Sequence, residues 1–209
     1  MRNLRGDPIA MIFQEPMSSL SPLHTVGDQV TEAYLLYNKA SKAEARKQAE
    51  AVFARVGLPD PARIFDTYPF ELSGGMRQRA MIAMALACKP GLIIADEPTT
   101  ALDVTVQAQI LELLKDLTRE TNAALILITH DLGVVGRFAD RVCVMYAGRV
   151  VESGAARDIS ANPRHPYTRG LMASIPRLDQ DASGRLTPID GQPPDLAALT
   201  PGAPGRFSI

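Results

Sequence analysis

The sequence predicts an α/β fold: a mostly parallel sheet covered by helices, with a helical insertion and a short C-terminal extension. Short apolar runs at residues 9–13, 92–95, 123–129 and 142–146 have the length of buried strands. Helical periodicity fills the intervals between the last three runs, and strands that alternate with helices form parallel sheets. Residues 17–90 are mostly helical in pattern, which indicates an insertion into the sheet domain.

Three helices account for most of the insertion. The first is predicted from Thr25 to Tyr37, with Thr25 as its cap and an apolar stripe along one face. The second begins at Ser41, where Glu44 completes a capping box, and ends before Gly57. The third is predicted from Ser73, again a capping residue, to Cys88.

The second half alternates helices and strands before its composition changes. Helices are predicted at residues 104–121 and 132–139, and Gly148 turns the chain into a further extended segment. Half of the 16 prolines lie from Pro163 onward, which predicts a loop-rich tail holding at most two short helices. We therefore expect a sheet domain over residues 1–154 and an extension over residues 155–209.

Composition and charge exclude several classes of protein. The formal net charge of −1 provides no electrostatic footprint for nucleic acid. The longest uncharged apolar run is far shorter than the roughly 20 residues of a membrane-spanning helix. Cys88 and Cys143 lie among apolar residues, which favours reduced thiols in the core. A soluble intracellular protein is expected.

Two carboxylates follow the second predicted strand. Asp96 and Glu97 come directly after a buried apolar run, and the carboxyl ends of strands are where open α/β sheets bind ligands. One carboxylate can hold Mg²⁺ and the other can polarise an attacking water. An acidic pair facing solvent is the alternative, and the pair taken alone favours it.

A phosphate-binding helix end is predicted at Ser73, Gly74 and Gly75. The glycines let backbone N–H groups approach a ligand, the helix dipole favours an anion, and the hydroxyl adds a donor. An ordinary capped helix after a glycine pair is the alternative for these three residues by themselves.

Five motifs together resemble those of the ATP-binding cassette (ABC) transporter ATPases. Residues 72–79 (Leu-Ser-Gly-Gly-Met-Arg-Gln-Arg) resemble the signature motif and residues 92–97 the Walker B strand. Residues 98–103 resemble the D-loop, residues 128–131 the switch-histidine motif and residues 13–16 the Q-loop. The motifs occur in the family's order and spacing, so the resemblance implies a P-loop NTPase-like ABC core that binds and hydrolyses ATP with Mg²⁺.

A finer resemblance is to the peptide and nickel import branch of that family. Residues 10–23 resemble its Q-loop, and residues 164–171 begin a tail similar to its C-terminal extension. Residues 174–176, 189–191 and 193–194 continue that similarity. The branch's tail usually runs on through cysteines that this sequence lacks, so we expect a shortened extension and no iron–sulfur cluster.

The resemblance implies a catalytic set at the strand ends. Gln14 would contact Mg²⁺ or the attacking water and sense the membrane subunit. Asp96 would support Mg²⁺, and Glu97 would activate water for attack on the γ-phosphate. His130 would hold the γ-phosphate and position the same water.

The resemblance also implies a half-site that faces another subunit. Ser73, Gly74 and Gly75, with Gln78 in the same motif, would bind ATP seated on the opposing subunit, and Asp103 would bridge the two subunits. The expected partners are a second ABC ATPase subunit, identical or paralogous, the transmembrane permease subunits and, indirectly, a solute-binding protein. The expected location is peripheral, on the cytoplasmic face of the inner (plasma) membrane.

The sequence disfavours several other functions within the family. DNA-repair members of the family carry long coiled coils and ribosome-acting members carry tandem cassettes, and residues 1–209 contain neither. An exporter fused to its membrane spans is also disfavoured, because no apolar run is long enough. A non-catalytic cassette that supplies only the signature half-site to an intact partner stays open.

The Walker A loop is the one expected motif that residues 1–209 do not contain. None of the five lysines precedes Ser or Thr, and N-terminal truncation is the simplest expectation. Losing about three charge-assisted bonds to phosphate costs on the order of 6 kcal/mol, a factor above 10⁴ in affinity. We predict that residues 1–209 expressed alone neither bind ATP tightly nor hydrolyse it. Titration with labelled ATP checks this, and low-micromolar binding with Mg²⁺-dependent phosphate release would contradict it.

Overall fold

The computed structural model describes residues 9–100 and 102–174. It divides into two compact units that separate between His130 and Asp131. The first unit contains β1 (Ile9–Ile12), α1 (Pro16–Ser19), α2 (Val26–Tyr37), α3 (Lys42–Arg55), α4 (Pro61–Phe65), a 3-10 helix (Pro69–Glu71), α5 (Gly74–Leu86), β2 (Leu92–Asp96), α6 (Val104–Thr121) and β3 (Ala124–Ile128). The second contains α7 (Leu132–Phe138), β4 (Arg141–Tyr146), β5 (Arg149–Ala155), α8 (Ala156–Ala161) and α9 (Pro166–Ala173).

A parallel sheet with the order β1-β2-β3 organises the first unit. One face of the sheet packs into the hydrophobic core through side chains such as Ile12, Ile93 and Ala95, all fully buried. The core continues into the helices that follow β1, with Phe53 and Met81 among its largest buried side chains. The predicted α/β fold with a parallel sheet and a helical insertion is therefore confirmed.

The helices of the first unit begin where their capping side chains predict. Thr25 accepts a hydrogen bond from the backbone N–H of Asp28, and Ser41 forms a reciprocal capping box with Glu44. Such caps contribute about 1 kcal/mol each. The caps at Ser73 and Asp103 begin the two helices that border the candidate site.

The second unit departs from the predicted parallel arrangement. β4 pairs with β5 in an antiparallel hairpin and forms a separate two-stranded sheet. Ala147 and Gly148 connect them with positive φ values of 48° and 74°, the backbone that a tight two-residue hairpin turn requires. This turn fixes strand pairing locally, so the expectation that residues 142–146 extend the parallel sheet is wrong for the described residues. The boundary predicted at residue 154, which followed composition, stays a prediction.

Exposure tests the core positions predicted for the two cysteines. Cys88 is only partly buried and Cys143 is exposed, so the core position predicted for Cys143 is wrong. Cys143 lies on the outward side of β4, whereas Val144, the next residue, points inward and is buried. Within residues 9–100 and 102–174, no helix has both the length and the apolar character needed to cross a bilayer.

Replacing Gly27 with alanine is expected to destabilise the first unit strongly. A Cβ at this buried position in α2 would lie 2.3 Å from Cγ of Phe65, a ring held in the core of the first unit. Overpacking of this kind costs about 1–3 kcal/mol or more. Urea unfolding followed by circular dichroism measures the loss. The matched control is Gly136→Ala in α7, where a Cβ meets nothing within 4 Å and no destabilisation is expected.

Glu152 fastens the segment before α9 to β5 in the second unit. Its carboxylate accepts the backbone N–H groups of Arg164 at 2.8 Å and of His165 at 3.0 Å. The Thr168 hydroxyl and these two backbone donors lower the pKa of Glu152. The ionised form is therefore the one that the folded second unit stabilises.

The attachment of this segment is expected to depend on pH. Because the folded-state pKa lies below the ordinary value of 4.5, the carboxylate stabilises the fold fully above that value and loses its effect as the pH falls through the folded-state pKa. We expect Glu152→Gln to reduce amide-exchange protection at Arg164 and His165 at neutral pH. Asp158→Asn, at an exposed carboxyl of the same unit, is the control and should leave that protection unchanged.

Candidate functional site

Three of the predicted residues meet at the carboxyl edge of the parallel sheet. Ile12 of β1 aligns with Ala95 of β2, and Ala95 aligns with Leu127 of β3. Gln14, Glu97 and His130 lie two or three residues beyond these aligned positions. The register alone therefore brings their side chains to one edge.

The backbone of Glu97 turns sharply at this edge. Its φ of 43° is in the left-handed region, which is uncommon for a residue with a side chain. Its N–H still donates to the carbonyl of Ile128 at 2.9 Å, and its own carbonyl accepts the N–H of Thr100 at 3.2 Å. Strained backbone of this kind concentrates at functional sites.

The Glu97 carboxylate is the centre of a hydrogen-bonded cluster. Gln14 Nε2 and Thr100 Oγ1 each lie 3.0 Å from Oε2, and His130 Nδ1 lies 3.0 Å from Oε1. The Glu97 side chain is 25% exposed, whereas that of His130 is 78% exposed. Three donors thus hold the carboxylate, while most of the His130 side chain is exposed.

The cluster favours the ionised form of Glu97. The hydrogen bond to His130 lowers the pKa of Glu97 most, followed by the hydrogen bond from Thr100, against a smaller opposing effect of burial. A carboxylate that stays charged and is aimed at an open edge is the group needed to orient or deprotonate water.

Oxygen donors suitable for Mg²⁺ lie at the same edge. Asp96 ends β2 with a half-buried side chain, and Gln14 keeps its amide oxygen as an acceptor because its nitrogen is the atom that contacts Glu97. Among the described residues, no group of three or more His, Cys, Asp or Glu side chains is placed to hold a metal ion. The Asp96 carboxylate and the Gln14 amide oxygen nevertheless fit Mg²⁺, which proteins commonly hold through one or two oxygen ligands plus substrate phosphate.

A second candidate surface lies at the start of α5. Ser73 and Gly74 are exposed, and the Ser73 hydroxyl accepts the N–H of Met76 at 3.3 Å. A Cβ at Gly74 would meet only Leu102 at 3.7 Å, whereas a Cβ at Gly75 would lie 3.0 Å from Val106 of α6. Gly75 therefore serves close helix packing, and Gly74 leaves the helix N-terminus open to solvent.

The other two predicted ligands have different surroundings. Gln78 is only 2% exposed, so its side chain lies inside the first unit and not on the surface that Ser73 presents. Asp103 is exposed and caps α6 by accepting the N–H of Val106 at 2.9 Å. A nucleotide-binding role for Gln78 and a bridging role for Asp103 stay predictions.

Thr100 is the member of the site that the sequence interpretation did not single out. Its signal is local: it lies three residues after Glu97 across Pro98, a spacing that closes a turn and returns a hydroxyl to the first residue. The D-loop resemblance covered this position without giving the hydroxyl a role.

Two family models match the chain. One described as "ABC transporter" matches residues 1–100, and one described as "Oligopeptide/dipeptide transporter, C-terminal region" matches residues 151–205. These matches confirm the predicted resemblance to ABC transporters of the peptide import branch.

Curated relatives and solved structures agree. The dipeptide transport ATP-binding protein DppD of Bacillus subtilis (strain 168) is 58% identical over 98% of this chain and 61% of its own length. The oligopeptide transport ATP-binding protein OppD of Salmonella typhimurium (strain LT2) is 53% identical, with the same two shares. A dimeric ATP-binding cassette in a post-hydrolysis state, bound to ADP and Pi, is 34% identical with a TM-score of 0.64, over 73% of this chain and 64% of that one. The chain spans about three fifths of the length of these curated relatives.

Proposed function

We infer that this chain is a member of the ABC transporter family and the ATP-hydrolysing subunit that energises the import of peptides. The observation that carries this proposal is the convergence of Gln14, Glu97 and His130 at one sheet edge, with three hydrogen bonds on a single carboxylate. No structural requirement of the core explains why three polar side chains from separate segments converge there.

Each side chain has a task in this proposal. Glu97 orients the attacking water and accepts its proton, and its lowered pKa keeps it ionised for that step. His130, open to solvent beyond Glu97, contacts the γ-phosphate. Asp96, with Gln14, would hold Mg²⁺, which when bound neutralises charge on the phosphates.

We propose that the surface at the start of α5 binds a nucleotide seated on a partner subunit. Ser73 and the Gly74 backbone present hydroxyl and N–H groups at the positive end of α5, a surface suited to a phosphate. The dimeric state of the similar cassette supports pairing with a second cassette, identical or paralogous.

Peptide cargo and permease partners rest on the relatives. Their names specify dipeptide and oligopeptide transport, which supports a peptide substrate for the assembled transporter. The stacked rings of Tyr68 and Phe70, 39% and 59% exposed just before the signature segment, support a protein contact on that side. We propose that the permease subunits hold the protein at the cytoplasmic face of the membrane.

Reconstitution tests the proposal. The full-length gene product, its permeases and its solute-binding protein are placed in liposomes, and uptake of a labelled dipeptide is followed with ATP and with a non-hydrolysable analogue. ATP-dependent uptake is expected. Uptake that is indifferent to ATP would contradict the proposed function, and activity that arises only from a partner cassette would identify a non-catalytic subunit.

A further inference from the structure

A four-residue turn returns the Thr100 side chain to the carboxylate of Glu97. The turn runs from Glu97 through Pro98 to Thr100 and is closed by the 3.2 Å backbone bond between its ends. Proline fixes the backbone at its second position, which favours this turn. The Thr100 hydroxyl then donates to Oε2 of Glu97 over 3.0 Å.

The same oxygen receives a second donor from a different part of the chain. Gln14 Nε2 also lies 3.0 Å from Oε2, but Gln14 is exposed on the irregular segment between β1 and α1. Thr100 is connected to Glu97 by only two intervening residues, so its bond survives any movement that leaves the turn closed. The two donors therefore lie at the same distance from Oε2. The position of Thr100 depends on the turn of Glu97 itself, whereas the position of Gln14 depends on how a separate segment packs.

We propose that Thr100 is a positioning residue that orients the Glu97 carboxylate from within its own turn, independently of Gln14. The inference rests on the proposed function, because the orientation matters only if Glu97 acts on water. It assigns to Thr100 the contact that is built into the turn of Glu97 and to Gln14 the contact that comes from a separate segment.

The proposal predicts a specific dependence between two substitutions. Loss of the Thr100 hydroxyl alone leaves Gln14 as the remaining donor to Oε2, and loss of Gln14 alone leaves Thr100. Loss of both frees the oxygen, so the double variant should lose more activity than the product of the two single losses. Residues that share a partner show such coupling.

The test uses the full-length gene product in its transporter complex. Thr100→Val removes the hydroxyl and nearly keeps the shape, and Thr100→Ser restores the hydroxyl. The control is Thr121→Val, at the far end of α6, whose hydroxyl donates only to backbone carbonyls. We expect Thr100→Val to lower kcat about three- to tenfold with KM for ATP unchanged, as for loss of one hydrogen bond of ordinary net strength. Thr100→Ser and Thr121→Val should stay near the parent.

A readout independent of hydrolysis separates this proposal from the proposed function. At fixed pH, ¹³C NMR of labelled glutamate should show the Glu97 carboxyl signal displaced or broadened in Thr100→Val, returned to the parent position in Thr100→Ser, and displaced further when Gln14→Ala is added. An unchanged Glu97 signal in Thr100→Val, or equal spectra for Thr100→Val and Thr121→Val, would overturn the role of Thr100. A displaced signal in a complex without ATPase activity would uphold the contact and refute the proposed function instead.

Discussion

Glu97→Gln is expected to reduce ATP hydrolysis by the full-length protein at least a hundredfold while leaving nucleotide binding intact. The amide is nearly isosteric with the carboxylate, so the turn and the contacts of Oε2 to Gln14 and Thr100 lose little shape. What disappears is the negative charge and the ability to accept a proton from water, and general-base catalysis contributes about 10²–10⁴ in rate.

The measurement pairs phosphate release with equilibrium binding of labelled ATP. Glu120→Gln is the matched control, because it neutralises a glutamate that is 60% exposed and pairs with Arg55 at the surface. Such a pair contributes at most about 1 kcal/mol, and no change in turnover is expected. A Glu97→Gln protein that still turns over at a tenth of the parent rate or more would show that another group activates the water.

The edge of the sheet is the part of the site that sequence predicts best. The apolar runs that form β1, β2 and β3 are short, and parallel strands must end at a common edge. The sequence therefore predicts that the motifs following these three strands lie next to one another at that edge. The structure confirms this reasoning, because Gln14 and His130 both contact the Glu97 carboxylate.

Other features depend on contacts that a pattern of residue types does not encode. Residues 142–146 are apolar enough for a buried parallel strand, but the tight turn at Ala147 and Gly148 pairs them with the next segment. Gln78 has a polar side chain that could bind a ligand, and only the packing of α5 reveals that it is buried. The role of Thr100 depends on the left-handed backbone at Glu97, which no residue type there signals in advance.

Gly74→Asp is expected to abolish transport-coupled hydrolysis without destabilising the protein. A Cβ at Gly74 meets only Leu102 at an ordinary 3.7 Å, so a side chain fits on the exposed first turn of α5. A carboxylate at a helix N-terminus stabilises the helix by about 0.3–1 kcal/mol. The same charge would face the phosphates of the partner's nucleotide, and like charges brought together cost several kcal/mol. A loss of more than a hundredfold in hydrolysis follows.

Gly74→Asp is expected to change stability and activity in opposite directions. Thermal unfolding of Gly74→Asp should occur at or above the parent temperature, while hydrolysis by the assembled complex collapses. Gly74→Asn is nearly isosteric with the aspartate and carries no charge, so it isolates the electrostatic effect and should retain most of the activity. If the asparagine and aspartate variants lose activity equally, the loss comes from the size of the side chain and not from its charge near a phosphate. If both retain it, the N-terminus of α5 does not face a nucleotide.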